Sequence, residues 1–426
     1  MRIGIAGLGT VGAGLIELIQ KHGDLLARRG GKSLEITAVS ARDKSRDRGV
    51  DCSGYEWFDN AVDLAASDKV DVVVELIGGS DGIAREVVET AIGNGKAVVT
   101  ANKALIEHQG TSLAAAAESM KVPLSFEAAV AGGIPIVKAL REGLAGNEIS
   151  RVYGILNGTC NYILTQMEES GRDFEDVLDD AQKLGYAEAD PAFDIDGVDA
   201  AHKIAILASL AFGCPVDFDA LHIEGIRHVT ALDIAYATEL GYRIKLLAIA
   251  RRGEGGIEQR VHPCMVPLHT PIAHVDGVFN AVVAEGDFVD QTVYEGRGAG
   301  AGPTASAVAA DLVDIARGLN LAPFAVAASD LQEVPTLPMD DHEGPVYVRL
   351  MVLDQPGVMA DVAAILRDEN VSIESVLQRG RSPGEVVPVI LILHDAREGA
   401  MKRVLKSLEE MEPVVEPPRM IRIELL

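Results

Sequence analysis

At 426 residues, 48% of them hydrophobic, the chain is too long for one ordinary core and suggests two to four domains at roughly 100 to 200 residues each. Its 38 basic against 64 acidic side chains leave a net charge of −26. Such a surface repels phosphate backbones and anionic lipid, so neither nucleic acid nor membrane is expected as a partner. Four scattered cysteines without CxxC spacing (Cys52, Cys160, Cys214, Cys264), and a start directly on a strand with no export signal, point to a reducing cytoplasm.

Arg2 to Ala6 is a short β-branched run, Gly7 to Gly12 a glycine-rich turn, and Val11 to Leu26 has helical apolar spacing. Further strands are expected at Leu34–Ser40, Asp71–Leu76, Ala97–Thr100 and Val122–Glu127, with helices over Ile83–Ile92 and Leu113–Ser119 between them. This alternation, with strands that are continuous apolar runs, predicts an α/β fold: a Rossmann-type dinucleotide-binding domain over 1–130. Past 130 the rhythm changes to a strand (Ile149–Leu156), two helical segments ending at Gly185, an acidic loop and a long apolar helix, Val198–Phe212. Strands of an open sheet follow at Val261–Pro267, Val278–Glu285 and Phe288–Tyr294. These elements make an α+β catalytic and dimerisation domain over 131–333. A second glycine-rich run, GRGAGAGPTASAV, opens a helix with Pro303 in its first turn, and part of 300–330 completes the nucleotide domain. A linker rich in proline and acid, Val334–Pro345, sets apart a C-terminal unit over 345–426 whose βαββαβ order is ferredoxin-like.

Gly7-Leu8-Gly9-Thr10-Val11-Gly12 matches GxGxxG, a weak signal alone in a chain with 43 glycines. It follows a strand and opens a helix, however, so its backbone amides can approach a pyrophosphate at the positive helix end. At the end of the second strand the sequence reads Ser40-Ala41-Arg42-Asp43-Lys44, with no acid at the tip to take a ribose hydroxyl. Arg42, with Lys44 or Arg46, suits a 2′-phosphate, which favours NADP over NAD; a solvated charged turn is the other reading.

The stretch KLGYAEADPAFDIDGVDAAHK brings together Glu188, Asp190, Asp194, Asp196, Asp199 and Lys203. Asp199 and Lys203 share a helix face, and the default is a surface ion pair of about 0.3 to 0.5 kcal/mol. The same stripe continues through Ile206, Leu207 and Leu210, which puts the lysine on the apolar side as a candidate proton donor oriented by a carboxylate. A calcium loop at Asp194-Ile195-Asp196-Gly197 fails on spacing, because an EF-hand requires its glycine three residues later and a glutamate where Ala205 stands. A solvated acidic loop stays open. A second lysine, Lys103 in TANKAL, follows a strand at the carboxyl end of the sheet, where ligands of such folds bind.

Six segments in order, GLGTVG, TANKAL, FEAAVAGGIPI, GILNGTCNYIL, LGYAEADPAFDIDGVDAAHK and GAGAGPTASAV, make the chain resemble the homoserine dehydrogenase family over roughly residues 1 to 330. The resemblance implies reversible NAD(P)H-dependent reduction of L-aspartate 4-semialdehyde to L-homoserine, in threonine, methionine and isoleucine biosynthesis. It assigns Lys203 as proton donor, Asp199 as its orienting partner, and Lys103 as a support between nicotinamide and substrate. It places Glu188 and Asp194 on the substrate ammonium and Thr159 near the substrate, with Gly185 and Gly300 against the cofactor. Glu127 and the carbonyls of Val130, Gly132 and Ile134 would form a structural sodium site. Cys160 occupies the open position of GTxNYIL and is read as packing, without a covalent intermediate.

Residues after 345 resemble an ACT domain on the turn Asp354-Gln355-Pro356-Gly357-Val358 and the later Asn370-Val371-Ser372-Ile373. Amides at Gly357 and Val358, with Ile373, would hold an amino-acid effector, L-threonine being the expected one; a purely structural dimerisation module is the alternative. Either implies a homo-oligomer, dimer or tetramer. A decayed, nucleotide-binding sensor would have lost Lys203, Asp199 or Glu188, and all three are present. An NADP oxidoreductase acting on another amino-acid aldehyde or keto acid stays open.

Overall fold

A computed structural model describes residues 1–379 and 383–426. Strand β1 (Arg2–Ala6) leads through the glycine turn into helix α1 (Thr10–Gly30). There follow β2 (Glu35–Ser40), β3 (Glu56–Phe58), α2 (Ala61–Ala66), β4 (Val72–Glu75), α3 (Ile83–Gly93), β5 (Ala97–Thr100), α4 (Lys103–Met120) and β6 (Leu124–Ser125). The six strands pair in parallel in the order β3-β2-β1-β4-β5-β6. Helices cover both faces, because strands such as Val72–Glu75 and Ala97–Thr100 are buried at every residue and have no polar side to offer water.

Four elements of this domain differ from expectation. Helix α4 begins at Lys103 rather than near 113, since Asn102 caps it by accepting from Leu105 N at 3.2 Å. The strand expected over 122–127 shrinks to β6, at the sheet edge, because Glu127–Ala129 turn away as a single 3-10 turn. β3 and α2 are too short to leave a periodic signature.

Beyond the bend come α5 (Ile136–Lys138), β7 (Ile149–Ile155), α6 (Gly158–Ser170), α7 (Phe174–Lys183), α8 (Ala192–Ile195) and α9 (Val198–Phe212). Then follow β8 (His222–Ile223), α10 (Ala231–Glu239), β9 (Tyr242–Gly253), β10 (Gly256–Pro267), β11 (Phe279–Gly286), β12 (Asp290–Arg297) and α11 (Ala301–Arg317). α11 returns to the first sheet. Its Ala305, Val308 and Leu312 share a core with Ile3, Ile5, Leu15 and Ile16, and Gly14 of α1 lets the helices touch, since a Cβ there would lie 3.0 Å from the Ala301 carbonyl oxygen.

The last elements are β13 (Glu343–Leu353), α12 (Val358–Asp368), β14 (Ile373–Gln378), β15 (Val386–Arg397), α13 (Glu398–Glu409) and β16 (Arg419–Ile423). Their order β16-β13-β15-β14 is the ferredoxin-like arrangement. The unit does not stand apart, as the linker had suggested. β16 pairs in parallel with β10, Cys264 against Arg422 and Met265 against Ile423, so one ten-stranded sheet runs through both regions. The linker is pinned too: Ile257 N donates to the Pro335 carbonyl at 2.9 Å and Leu337 N to that of Ile257 at 2.9 Å. Among the described residues no helix is long and apolar enough to cross a membrane.

Candidate active site

The site lies where three chain turns meet: the glycine turn after β1, the start of α6 after β7, and the loop entering α9. Gly7 has φ +108, and a Cβ there would come within 2.4 Å of the Leu76 carbonyl oxygen; one on Gly12 would meet the Gly7 oxygen at 2.3 Å. Gly9, between them, has nothing within 4 Å, leaving an open approach to the amides at the start of α1. The first and third glycines thus serve packing, and the second leaves room for a ligand.

Helix α9 is bounded by glycines in left-handed conformation, Gly197 at φ +86 and Gly213 at φ +65, which fixes its register. Asp199 falls in its first turn and Lys203 one turn later, 7% and 8% exposed. Lys203 Nζ donates to Asp199 Oδ2 at 2.7 Å and to the Leu156 carbonyl at 2.7 Å. Asp199 Oδ1 holds Lys103 Nζ at 3.1 Å. One carboxylate therefore joins two ammonium groups from different elements. A lysine in the first turn of a helix opposes the helix dipole, so Lys103 adds nothing to the stability of α4 and is retained there by Asp199 and by the ring of Phe193, 5.4 Å from its Nζ.

Burial would raise the Asp199 carboxyl, but the charges of Lys203 and Lys103, with hydrogen bonds from Lys203 and Asn157, hold it well below the usual carboxylate range. Asp199 therefore stays ionised and has no proton to donate. Asp194 behaves oppositely: burial raises its carboxyl, against hydrogen bonds from Asn157 and Thr159. Behind the lysines, His202 stacks between Phe193 and Phe218, and burial together with Lys103 brings it down to about 4, so it stays neutral.

These groups face a cavity of about 600 Å³ whose lining joins Val11, Ala101, Gly185 and Gly300 with Thr159, Glu188, Asp194, Asp199, Lys103 and Lys203. Gly185 (φ +77) and Gly300 (φ +115), far apart in sequence, are both left-handed turn positions. Thr159 Oγ1 donates to the Tyr186 carbonyl at 2.8 Å and to Asp194 Oδ2 at 3.3 Å. Arg42 lies outside the cavity, exposed at the end of β2. Beside it, Arg48 folds the basic loop back onto the glycine turn through the Leu8 carbonyl at 3.1 Å. Cys160 is buried with its thiol against the Asp194 carbonyl, and burial pushes that thiol far up, as a packing residue requires.

Asn157 was not singled out from the sequence. Its Nδ2 reaches Asp194 Oδ1 at 2.8 Å and Asp199 Oδ2 at 2.9 Å, while its Oδ1 caps α6 through Cys160 N at 2.8 Å. It ties the two acids to one helix start. The available signal was an Asn-Gly step between a strand and a helix, which marks a cap but not what the cap touches.

Glu127 and the carbonyls of Val130, Gly132 and Ile134 lie off this cavity except at Val130, which also lines it. Glu127 is 2% exposed, and its two oxygens accept from Val137 N at 3.0 Å and Lys138 N at 2.8 Å. Lys138 Nζ pairs with Asp311 and Asp314 instead. Glu127 has no ion-pair partner among the described residues. Burial and the neighbouring Asp311 push its carboxyl up to about 7.

Comparison with known proteins shows the family and its domains. A family model described as homoserine dehydrogenase matches residues 135–313, one described as homoserine dehydrogenase, NAD binding domain, matches 7–127, and an ACT domain model matches 346–410. A homoserine dehydrogenase of Pseudomonas aeruginosa is 47% identical over 435 residues, covering 100% of this chain and 99% of that protein. The crystal structure of a homoserine dehydrogenase from Thiobacillus denitrificans superposes with a TM-score of 0.94 at 45% identity, covering 100% of this chain and 98% of that one. A hyperthermophilic archaeal homoserine dehydrogenase in complex with NADPH, 27% identical, covers 75% of this chain and 98% of its own, with a TM-score of 0.64.

Proposed function

The chain belongs to the homoserine dehydrogenase family, oxidoreductases that interconvert L-aspartate 4-semialdehyde and L-homoserine, and from that premise we propose that Lys203, Asp199 and Lys103 perform its proton chemistry. The observation that carries this is the Asp199 carboxylate bridging two lysines on the wall of the cavity. A bound nicotinamide nucleotide supplies the hydride. The chain does the rest. As the aldehyde oxygen gains negative charge, Lys203, two of whose N–H bonds are taken by Asp199 and Leu156, directs its third at the cavity and delivers the proton there. Lys103 adds positive charge from the cofactor side. Asp194 and Glu188 take the substrate ammonium and Thr159 borders the substrate. Two lysines against Asp199 leave a net positive charge for the oxyanion, while the other two acids leave negative charge for the amine.

The cofactor role of Gly7, Gly9, Thr10, Val11, Gly12, Gly185 and Gly300 rests on the close-packed glycine turn and the left-handed turns at the cavity. NADP is favoured over NAD because β2 ends without an acid and the exposed Arg42, with Lys44 and Arg46, suits a 2′-phosphate; the archaeal relative was solved with NADPH. The Glu127 set fits sodium: a buried carboxylate without an ion-pair partner, beside carbonyls of a bend turned by Gly132 at φ +53, offers the hard oxygen donors such a cation requires. The ion would hold the bend that leads from β6 into the catalytic region.

Regulation follows from the ACT domain, with Gly357 (φ +101), Val358 and Ile373 at the place for an amino-acid effector, L-threonine in our reading. We further place the enzyme in the cytoplasm, its four cysteines free, as a homo-oligomer, dimer or tetramer.

Following NADPH absorbance with aspartate semialdehyde against other amino-acid aldehydes tests the substrate, and added threonine tests the effector. Lys203→Ala should lower kcat by about a thousandfold. Unchanged turnover in that variant would remove Lys203 from the mechanism.

A further inference from the structure

The sheet that joins the C-terminal unit to the catalytic region carries buried charges that the reaction does not use. Chief among them is Arg422 of β16, 2% exposed. Its guanidinium gives Nη1 to Glu224 Oε2 at 3.0 Å and Nη2 to Glu224 Oε1 at 2.8 Å. On its other side it gives Nε and Nη2 to Glu398 of α13 at 2.9 and 2.6 Å. Glu398 belongs to the C-terminal unit. Glu224 follows β8 in the catalytic region, so the pair crosses the boundary.

What makes the pair more than a seam contact is the segment that Glu224 begins. Glu224 N donates to the Val261 carbonyl at 2.7 Å, and the next three residues lie against the loop that enters α9. Gly225 lies flat on that loop: a Cβ there would come within 2.2 Å of the Ile195 carbonyl oxygen and 2.5 Å of Asp196 Cα. Ile226 N donates to the Ile195 carbonyl at 2.9 Å, and Arg227 pairs with Asp196. The restrained residues directly follow Asp194 and end three positions before Asp199. From Arg422 to the backbone of the acid loop there is one ion pair and one segment of four residues, 224–227.

We propose that Arg422 is a positioning residue for substrate binding, holding the strap Glu224–Arg227 against Ile195–Asp196 so that the C-terminal unit sets where Asp194 stands in the active site of its own chain. The inference rests on the reading of Asp194 as a substrate ligand. It gives the fused sheet a purpose beyond attachment, because a shift of β16 relative to β10 reaches the acid loop through bonded atoms.

The test uses the full-length enzyme and separates position from stability. In Arg422→Met and in Glu224→Gln, the KM for L-homoserine should rise about tenfold while the dissociation constant for NADPH stays within about twofold, and Arg422→Lys should recover part of the loss. Arg349→Lys is the control. Arg349 is another buried arginine that crosses the same boundary, bonded to Asp233 at 2.7 Å, and neither residue bonds to the strap or the loop. It should lower Tm and leave KM alone. Should Arg422→Met not fold, Glu224→Gln, which keeps the side chain's size, carries the test. Gly225→Ala forces the loop directly and should raise KM whatever β16 does. KM unchanged in Glu224→Gln while Gly225→Ala raises it overturns the role of the C-terminal unit. An equal rise in KM in Arg349→Lys overturns it as well, since general loosening would then explain both. Asp194→Asn with unaltered KM would instead overturn the substrate-site reading, and the proposal with it.

Discussion

Asp199 and Arg422 are local mirror images. Each is a buried charge held by two opposite charges from different elements: Asp199 by Lys203 and Lys103, Arg422 by Glu224 and Glu398. Pairing is what burial demands in both cases, since an isolated ion in the interior costs several kcal/mol. The clusters differ in what the surplus charge faces. Around Asp199 the extra positive charge borders a cavity of about 600 Å³, whereas around Arg422 one acid, Glu398, is buried and the other, Glu224, opens partly to solvent away from that cavity. A buried ion pair becomes chemistry when its unbalanced member can reach a ligand; otherwise it is a joint.

The sharpest way to break that contrast is to make the acid neutral. In Asp199→Asn the two lysines lose their shared counter-charge, and Lys203, 8% exposed, is left as an unpaired buried cation. Its Nζ also loses the carboxylate that fixes its direction toward the cavity. We expect kcat for aldehyde reduction to fall about a thousandfold, with the amide preserving shape. A loss under tenfold in steady-state assays would show that Asp199 only ties helices together.

How much of this could be read from the sequence follows the same division. Helix α9 was legible to its ends, because a 3.6-residue apolar period ran between two glycines, and Asp199 and Lys203 were visible as an i, i+4 pair on the wrong, apolar side. The C-terminal βαββαβ order was legible from alternation and turns. Asn157 was hidden inside a quoted segment because a cap predicts its own helix and not the two acids beyond it. The Arg422–Glu224 pair, 198 residues apart, has no local signature. Strand β9, rich in leucine and alanine and buried over Ile244–Ala250, lacks the alternation that would have marked it. The parallel pairing of β16 with β10 was equally silent, since either edge would have suited a free ferredoxin-like unit.

The joint should lose more stability in acid than the active site, where His202 of α9, brought down to about 4, makes a smaller loss of the same sign. Burial raises the Glu258 carboxyl, but His342 at 2.5 Å and Arg260 at 2.8 Å bring it from 4.5 to about 2. A depressed carboxyl contributes stability that is present above its unfolded value and lost as pH falls through the folded one. For Glu258 that is about 3 kcal/mol, lost as pH falls from about 4.5 to 2. Buried His262, on the same strand, is held well below its ordinary 6.5 by burial and by the charges of Arg422 and Arg260. The unfolded chain binds that proton and the folded one does not, so stability again falls with pH, starting below about 6.5. Hydrogen exchange at pH 7, 5 and 4 should show amides of β10 and β16 losing protection before those of α9. Equal loss in both places would mean the joint is no weaker than the site.

A smaller effect is expected at the basic loop after β2, to which we assign cofactor specificity rather than stability. Arg42 is exposed and bonds to nothing among the described residues. Arg42→Ala should therefore leave Tm unchanged and lower the preference for NADPH over NADH, as a ratio of kcat/KM, by about tenfold. An unaltered ratio would shift that role to Lys44 or Arg46.

The least change should come from the sodium we propose at Glu127, and pH decides when it shows. Its carboxyl titrates near 7 in the fold against 4.5 ordinarily, because burial and Asp311 disfavour the charge. A raised carboxyl favours the fold while protonated and loses that contribution as pH climbs through about 7. Sodium binds the ionised form, so it should offset the loss at pH 8 and have nothing to offset at pH 5. At a few times its dissociation constant the gain is about 1 kcal/mol. It would appear as a higher Tm in sodium chloride than in tetramethylammonium chloride of equal ionic strength at pH 8 alone. In Glu127→Gln the difference should vanish. A difference that persists there, or that is the same at pH 5 and pH 8, would mean that sodium acts elsewhere and that Glu127 serves only to cap the turn at Val137 and Lys138.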